Sequence, residues 1–202
     1  MEDIGADACK TGMLANEDIV QAVTECLRNL QPPNLVVDPV LRAQGGDSLL
    51  EPDAETAVRD ELLPLSRVVT PNLAEAAALY GEELETVDEM KEAAAAIADM
   101  GPRWALVKGG HLSGEPVDIL SDGKDTVEIR RPRVHTTNTH GTGCTYSAAI
   151  ASRLARGLSP RAAVRKARDD LQKGLEASLS LGAGSGPLNH YAMFEPPAGD
   201  TP

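Results

Sequence analysis

The chain has 202 residues, of which 42% are apolar but only 2% aromatic, and its formal charge is −12. That length is one domain's worth and enough to bury a core, while the acidic balance excludes nucleic acid and anionic membrane, which need a basic face. It does not exclude a polyphosphate, because such sites use backbone N–H groups and one or two local cations.

Residues 8–13 read as a strand or strand end, with no strand–helix unit before them, so the predicted sheet starts in mid-domain. Asn16 has the chemistry of an N-cap, and Ile19, Val20, Val23 and Leu27 recur at helical spacing until Pro32 and Pro33. NLVVDPV at 34–40 is a compact strand with Asp38 at its C-terminal end. Residues 52–63 predict a helix with proline in its first turn, 67–70 a short strand, 72–80 a helix, and 86–100 an Ala-rich helix ending at Gly101. RWALVK at 103–108 is a strand; 117–120 and 126–131, split by SDGKD, predict a hairpin. A loop over 132–142 leads into a helix from Gly143 to about Arg156, and Ser159 with Pro160 opens a last helix reaching about Leu181 before a Gly- and Pro-rich tail. This alternation predicts an α/β domain with a mainly parallel sheet, whose ligands sit at the C-terminal strand ends.

Cys9, Cys26 and Cys144 lack metal-ligand spacing and point to a reducing compartment, hence a cytoplasmic location. No stretch reaches the roughly 20 apolar residues of a membrane span, and the first residues hold no signal-peptide run.

Four segments could carry chemistry. In Asn138-Thr139-His140-Gly141-Thr142-Gly143-Cys144-Thr145, glycines alternate with threonine before an apolar helix. Glycine lets backbone approach a ligand, and the helix start offers free N–H groups, so this is a candidate anion hole or else a ligand-free helix start. Cys144 lies in the first turn, where a thiolate is favoured; orienting group, nucleophile and inert thiol are all open roles. Lys108, followed by Gly109 and Gly110, could reach a phosphate as a point charge or be a solvated lysine before a turn. Asn72 and Glu75 have capping-box spacing and could alternatively hold magnesium through water. Asp38 before Pro39 could be a second such anchor, or the start of an Asx-type turn. Lys10-Thr11 lacks the preceding glycines of a P-loop.

In their order and spacing these segments resemble one family. CKTGML at 9–14, VVDPV at 36–40, GGDSLL at 45–50, VVTPNLAEA at 68–76, LVKGGHL at 106–112, NTHGTGCTYSAAIA at 138–151 and GPLNH at 186–190 look like successive motifs of the phosphomethylpyrimidine kinases. The resemblance implies a ribokinase-like three-layer sandwich, with MgATP as donor. It also implies phosphorylation of hydroxymethylpyrimidine and then its monophosphate in thiamine synthesis. Gly141, Thr142 and Gly143 would form the anion hole, and Cys144 would contact the accepting oxygen. Lys108, Asn72, Gly110 and Thr142 would bind ATP, while Asp38 and Glu75 would organise Mg²⁺ through water. Met13 and Val40, with Cys144, would line the pyrimidine site. The resemblance starts part-way into the family pattern, so it implies one domain over 1–190 without N-terminal strands and lid, and a tail over 191–202. Its partners would be the pyrimidine and ATP, with a homodimer as one allowed assembly. The rival readings are a pyridoxal or hydroxyethylthiazole kinase, a non-catalytic nucleotide-binding module, and a Cys-dependent hydrolase.

Overall fold

The computed structural model describes residues 3–41, 51–110, 112, 114–179 and 184–193. The GGDSLL segment at 45–50 and His111 lie outside the described residues. Six strands form one sheet in sequence order: β1 (Cys9–Thr11), β2 (Leu35–Val37), β3 (Val68–Val69), β4 (Ala105–Gly109), β5 (Val117–Ser121) and β6 (Thr126–Arg130). The first four run parallel, and the β5–β6 hairpin adds an antiparallel edge, as SDGKD predicted. Among the described residues β1 pairs only with β2.

Strand alternation divides the core in two. Leu35, Val37, Val69, Val107 and Ile119 face one side, against α1 (Glu17–Leu30), α2 (Pro52–Ala57), α3 (Leu73–Tyr80) and α4 (Val87–Asp99). Val36, Val68, Leu106 and Leu120 face the other, against α5 (Thr142–Ala155) and α6 (Pro160–Glu176). The result is helices on both faces of a sheet, the three layers the sequence implied. No helix among the described residues is long and apolar enough to cross a membrane.

Several boundaries differ from the sequence reading, and three of them have a plain physical cause. The strand expected over 34–40 stops at Val37, because Pro39 has no N–H and the backbone turns, Val40 N donating to Asp38 O at 2.9 Å. The helix expected over 52–63 becomes a π turn at Val58–Leu62 and a 3-10 turn at Leu63–Leu65, around Pro64. The last helix ends at Glu176, where a returning segment takes its carbonyls: Asn189 N donates to Gly174 O at 2.9 Å and Asn189 Nδ2 to Ala177 O at 3.2 Å. That segment buries Leu188 and Met193 under α6, so packed chain extends into the span read as tail.

Candidate active site

The same alternation that sorts the core also builds the site. Ala8 packs with the α5–α6 side and Cys9 with the opposite one, which puts Lys10 on the α5 face. Asp38, Thr70 and Lys108 continue beyond Val36, Val68 and Leu106 on that face, at the C-terminal strand ends. Asp38 is 2% exposed and is the hub. Thr70 Oγ1 and Lys108 Nζ each donate to its Oδ1 at 3.1 Å. Ser147 Oγ lies 3.1 Å from its Oδ2, and Lys10 Nζ 3.9 Å from the same oxygen. A buried carboxylate needs this many donors, because unpaired charge in a dry interior is very costly.

Lys108 is held from both ends. Its N–H donates to Pro71 O at 2.9 Å, and the next N–H, of Gly109, donates to Asp118 Oδ1 at 3.1 Å. Its ammonium faces the α5 start: a Cβ added at Gly143 would sit 3.3 Å from Lys108 Nζ. Gly141 precedes that helix at φ 78°, a left-handed conformation glycine adopts without strain. Thr142 Oγ1 donates to Thr139 O at 2.7 Å, and Thr145 N donates to Gly141 O at 2.9 Å. The Gly143 and Cys144 amides lie between, in a turn whose N–H groups have no intrahelical acceptor. The helix start that the sequence offers as a candidate anion hole therefore faces Lys108 Nζ.

Asn72 forms a parallel bridge with Lys108 and caps α3. Its Oδ1 accepts from Glu75 N at 2.9 Å, and Glu75 Oε2 accepts from Asn72 N at 2.8 Å, a complete capping box. Glu75 is 3% exposed. Burial raises its carboxyl from the usual 4.5 to about 7, with Asp38 adding to the shift and Lys108 opposing it. The capping reading of this pair holds.

The other candidates are more peripheral. Gly110 is exposed at the end of β4, its carbonyl accepting from Arg133 Nη1 at 3.0 Å; Arg133 also donates to Gly114 O and Leu112 O. Cys144 is exposed, and its carbonyl lies 3.0 Å from Ser147 Oγ. Val40 lines a narrow crevice with Gly12, Leu14 and Asp38, whereas Met13 on that rim is 59% exposed. His140 is exposed and joins Gly186 through its backbone, and no hydrogen bond links it to Cys144 among the described residues. The hydrolase reading has no geometric support there.

Lys10, Thr70 and Ser147 were not singled out from the sequence, although alternation from Ala8 and Val68 would have found the first two. Asp118 was also missed; it sits in β5 opposite Lys108, with Oδ2 3.2 Å from Arg168 Nε. Burial raises the Asp118 carboxyl above the usual range against the pull of Arg168. The GPLNH segment straps the loop before α5: Pro187 bridges His140, and His190 Nε2 is 3.0 Å from Thr145 Oγ1.

No group of three or more His, Cys, Asp and Glu among the described residues could hold a metal ion. Asp38 and Glu75 already bind protein donors, so they suit a cation that keeps its own water.

Known proteins resemble this chain. The family model described as phosphomethylpyrimidine kinase matches residues 1–189. A hydroxymethylpyrimidine/phosphomethylpyrimidine kinase of Streptomyces coelicolor is 45% identical over 196 residues, covering 96% of this chain and 72% of that protein. A thiamine biosynthetic bifunctional enzyme of Arabidopsis thaliana is 42% identical over 197 residues, covering 95% of this chain and 38% of its own length. The solved ADP complex of Bacillus subtilis pyridoxal kinase superposes with a TM-score of 0.88 at 37% identity, covering 95% of this chain and 72% of that one. On the family model and these relatives, the chain belongs to the phosphomethylpyrimidine kinase family.

Proposed function

We propose that this chain transfers the terminal phosphoryl group of ATP to hydroxymethylpyrimidine and then to its monophosphate, as a cytoplasmic step of thiamine synthesis. One observation carries the reading: the Gly143 turn opens against Lys108 Nζ, with both secured over Asp38. Phosphoryl transfer asks for positioning and charge stabilisation more than covalent chemistry. Amides fixed at the α5 start meet developing charge without reorganising. Lys108, Asn72, Gly110 and Thr142 hold the phosphates, and Gly141 sets the turn. The acceptor enters between Met13 and Val40, and its oxygen meets Cys144. When bound with the nucleotide, Mg²⁺ supplies charge neutralisation, and Asp38 and Glu75 hold its waters. The pyridoxal kinase neighbour favours a second reading, a pyridoxal acceptor at the same turn.

The test is ADP release from ATP with hydroxymethylpyrimidine, its monophosphate and pyridoxal in parallel. Turnover of the pyrimidines supports the proposal, turnover of pyridoxal alone supports the second reading, and release with none of them sinks both. Replacing Cys144 with alanine lowers kcat roughly 10²-fold while ATP affinity changes by less than about 3-fold. Equal losses in the two would remove Cys144 from the reacting oxygen.

A further inference from the structure

We infer that Lys10 is the specificity residue for a phosphorylated acceptor, the cation that lets a phosphate monoester approach the nucleotide. The inference rests on the proposed kinase activity and concerns its second acceptor.

Two ammonium groups meet one carboxylate: Lys108 Nζ at 3.1 Å from Asp38 Oδ1 and Lys10 Nζ at 3.9 Å from Oδ2. Asp38 lies closer to Lys108, and the further carboxyls that feel Lys108 are Glu75 and Asp118, the latter paired with Arg168, so Lys10 is the less fully offset of the two lysines. The two lysines look in different directions. Lys108 faces Gly143 and the helix start. Lys10 folds over Gly12, where an added Cβ would lie 2.6 Å from its Nζ. Gly12, Leu14 and Val40 line the crevice beside Asp38. That crevice has a volume of about 10 Å³ and is too small for a pyrimidine, so an acceptor lies over its mouth at Gly12, where Lys10 is the near cation while Lys108 faces the Gly143 turn. The Lys10 side chain is 22% exposed, against 13% for Lys108, and so remains open to a ligand.

The two acceptors differ in what they demand. With an alcohol, the hydroxyl oxygen forms a bond to the terminal phosphorus, its proton leaves, and ADP departs with the electrons of the broken P–O bond. With a monophosphate, a phosphate oxygen forms that bond, and the dianion has no proton to lose. Instead it brings a charge of about −2 against a triphosphate. Repulsion between like charges at contact is large in a partly dry site, and a loosely held cation on the acceptor side offsets it. A neutral alcohol needs no such cation. Lys10 thus separates the two steps of one enzyme.

The test uses the full chain with Lys10→Met, which keeps the stem and removes the charge, and Lys10→Arg, which keeps the charge. Lys10→Met should lower kcat/KM for hydroxymethylpyrimidine monophosphate roughly 10- to 100-fold, the worth of one charge-assisted hydrogen bond. Because Lys10 also helps to hold Asp38, the value for hydroxymethylpyrimidine should fall too, but by a factor at least about 5 smaller, and Lys10→Arg should retain most of the monophosphate activity. Isothermal titration with the monophosphate should show the same loss of affinity in Lys10→Met, whether or not the wild type turns over. Equal losses with both acceptors would make Lys10 a support of Asp38 alone and overturn the inference, as would unchanged affinity for the monophosphate. Wild-type protein that binds the monophosphate through Lys10 yet transfers no phosphoryl group would instead count against the kinase reading.

Discussion

Glu75 is a carboxyl group caught between two tasks, and its titration reports both. It caps α3 from inside the core, where burial raises its folded value to about 7 from an ordinary 4.5. Below 4.5 the group is protonated in folded and unfolded chains alike, and its contribution to stability is fully present. As pH rises, the unfolded chain ionises first, and the contribution is lost through about 7. The difference is worth on the order of 3 kcal/mol. Glu75→Gln keeps an oxygen for Asn72 N and removes the titration. Urea unfolding between pH 4.5 and 8 should show a stability decline in the wild type that the variant lacks, and parallel curves would mean that Glu75 ionises normally.

At the scale of elements, the site depends on how closely β4 and β5 approach. A Cβ at Gly109 would sit 2.0 Å from Val117 O, a backbone atom that cannot swing away, and 2.8 Å from Met90 Cε. Gly109→Ala should therefore cost about 3 kcal/mol or more, whereas Gly110→Ala, with nothing within 4 Å, should stay within about 0.5 kcal/mol. Thermal melts of the two variants check this, and equal melting temperatures would refute the close approach. Neighbouring glycines thus have unlike roles, and the sequence alone did not separate them. Asp38 and Lys108 were legible because each ends an apolar strand pattern with a charged group at the ligand edge. Lys10 was not, since it was weighed only against the P-loop pattern. Ser147 was hidden in a helix whose apolar positions alone carried the reading. The helix end at Glu176 was illegible because a distant partner helps to set it; Asn189 is 13 positions beyond Glu176 in the chain.

For the whole molecule, one buried line of charge joins parts far apart in sequence. Asp118 in β5 pairs with Arg168 in α6; Arg168 Nη1 donates to Gln172 Oε1 at 3.1 Å, and Gln172 Nε2 donates to Pro132 O at 3.1 Å. Both members of the ion pair are almost fully buried, at 4% and 6% exposure. Asp118→Ala strands the guanidinium and should cost about 3–5 kcal/mol, while Asp118→Leu with Arg168→Leu should recover most of that loss. Denaturant midpoints of the single and double variants decide it, and a double variant as weak as the single would refute the pairing. The C-terminal strap has another consequence, one of timing. Translation delivers all six strands before residues 184–193, which brace the loop at His140 and the helix start at Thr145. A nascent chain can assemble its sheet while the start of α5 is still unbraced, so that turn settles last, after the scaffold that carries it.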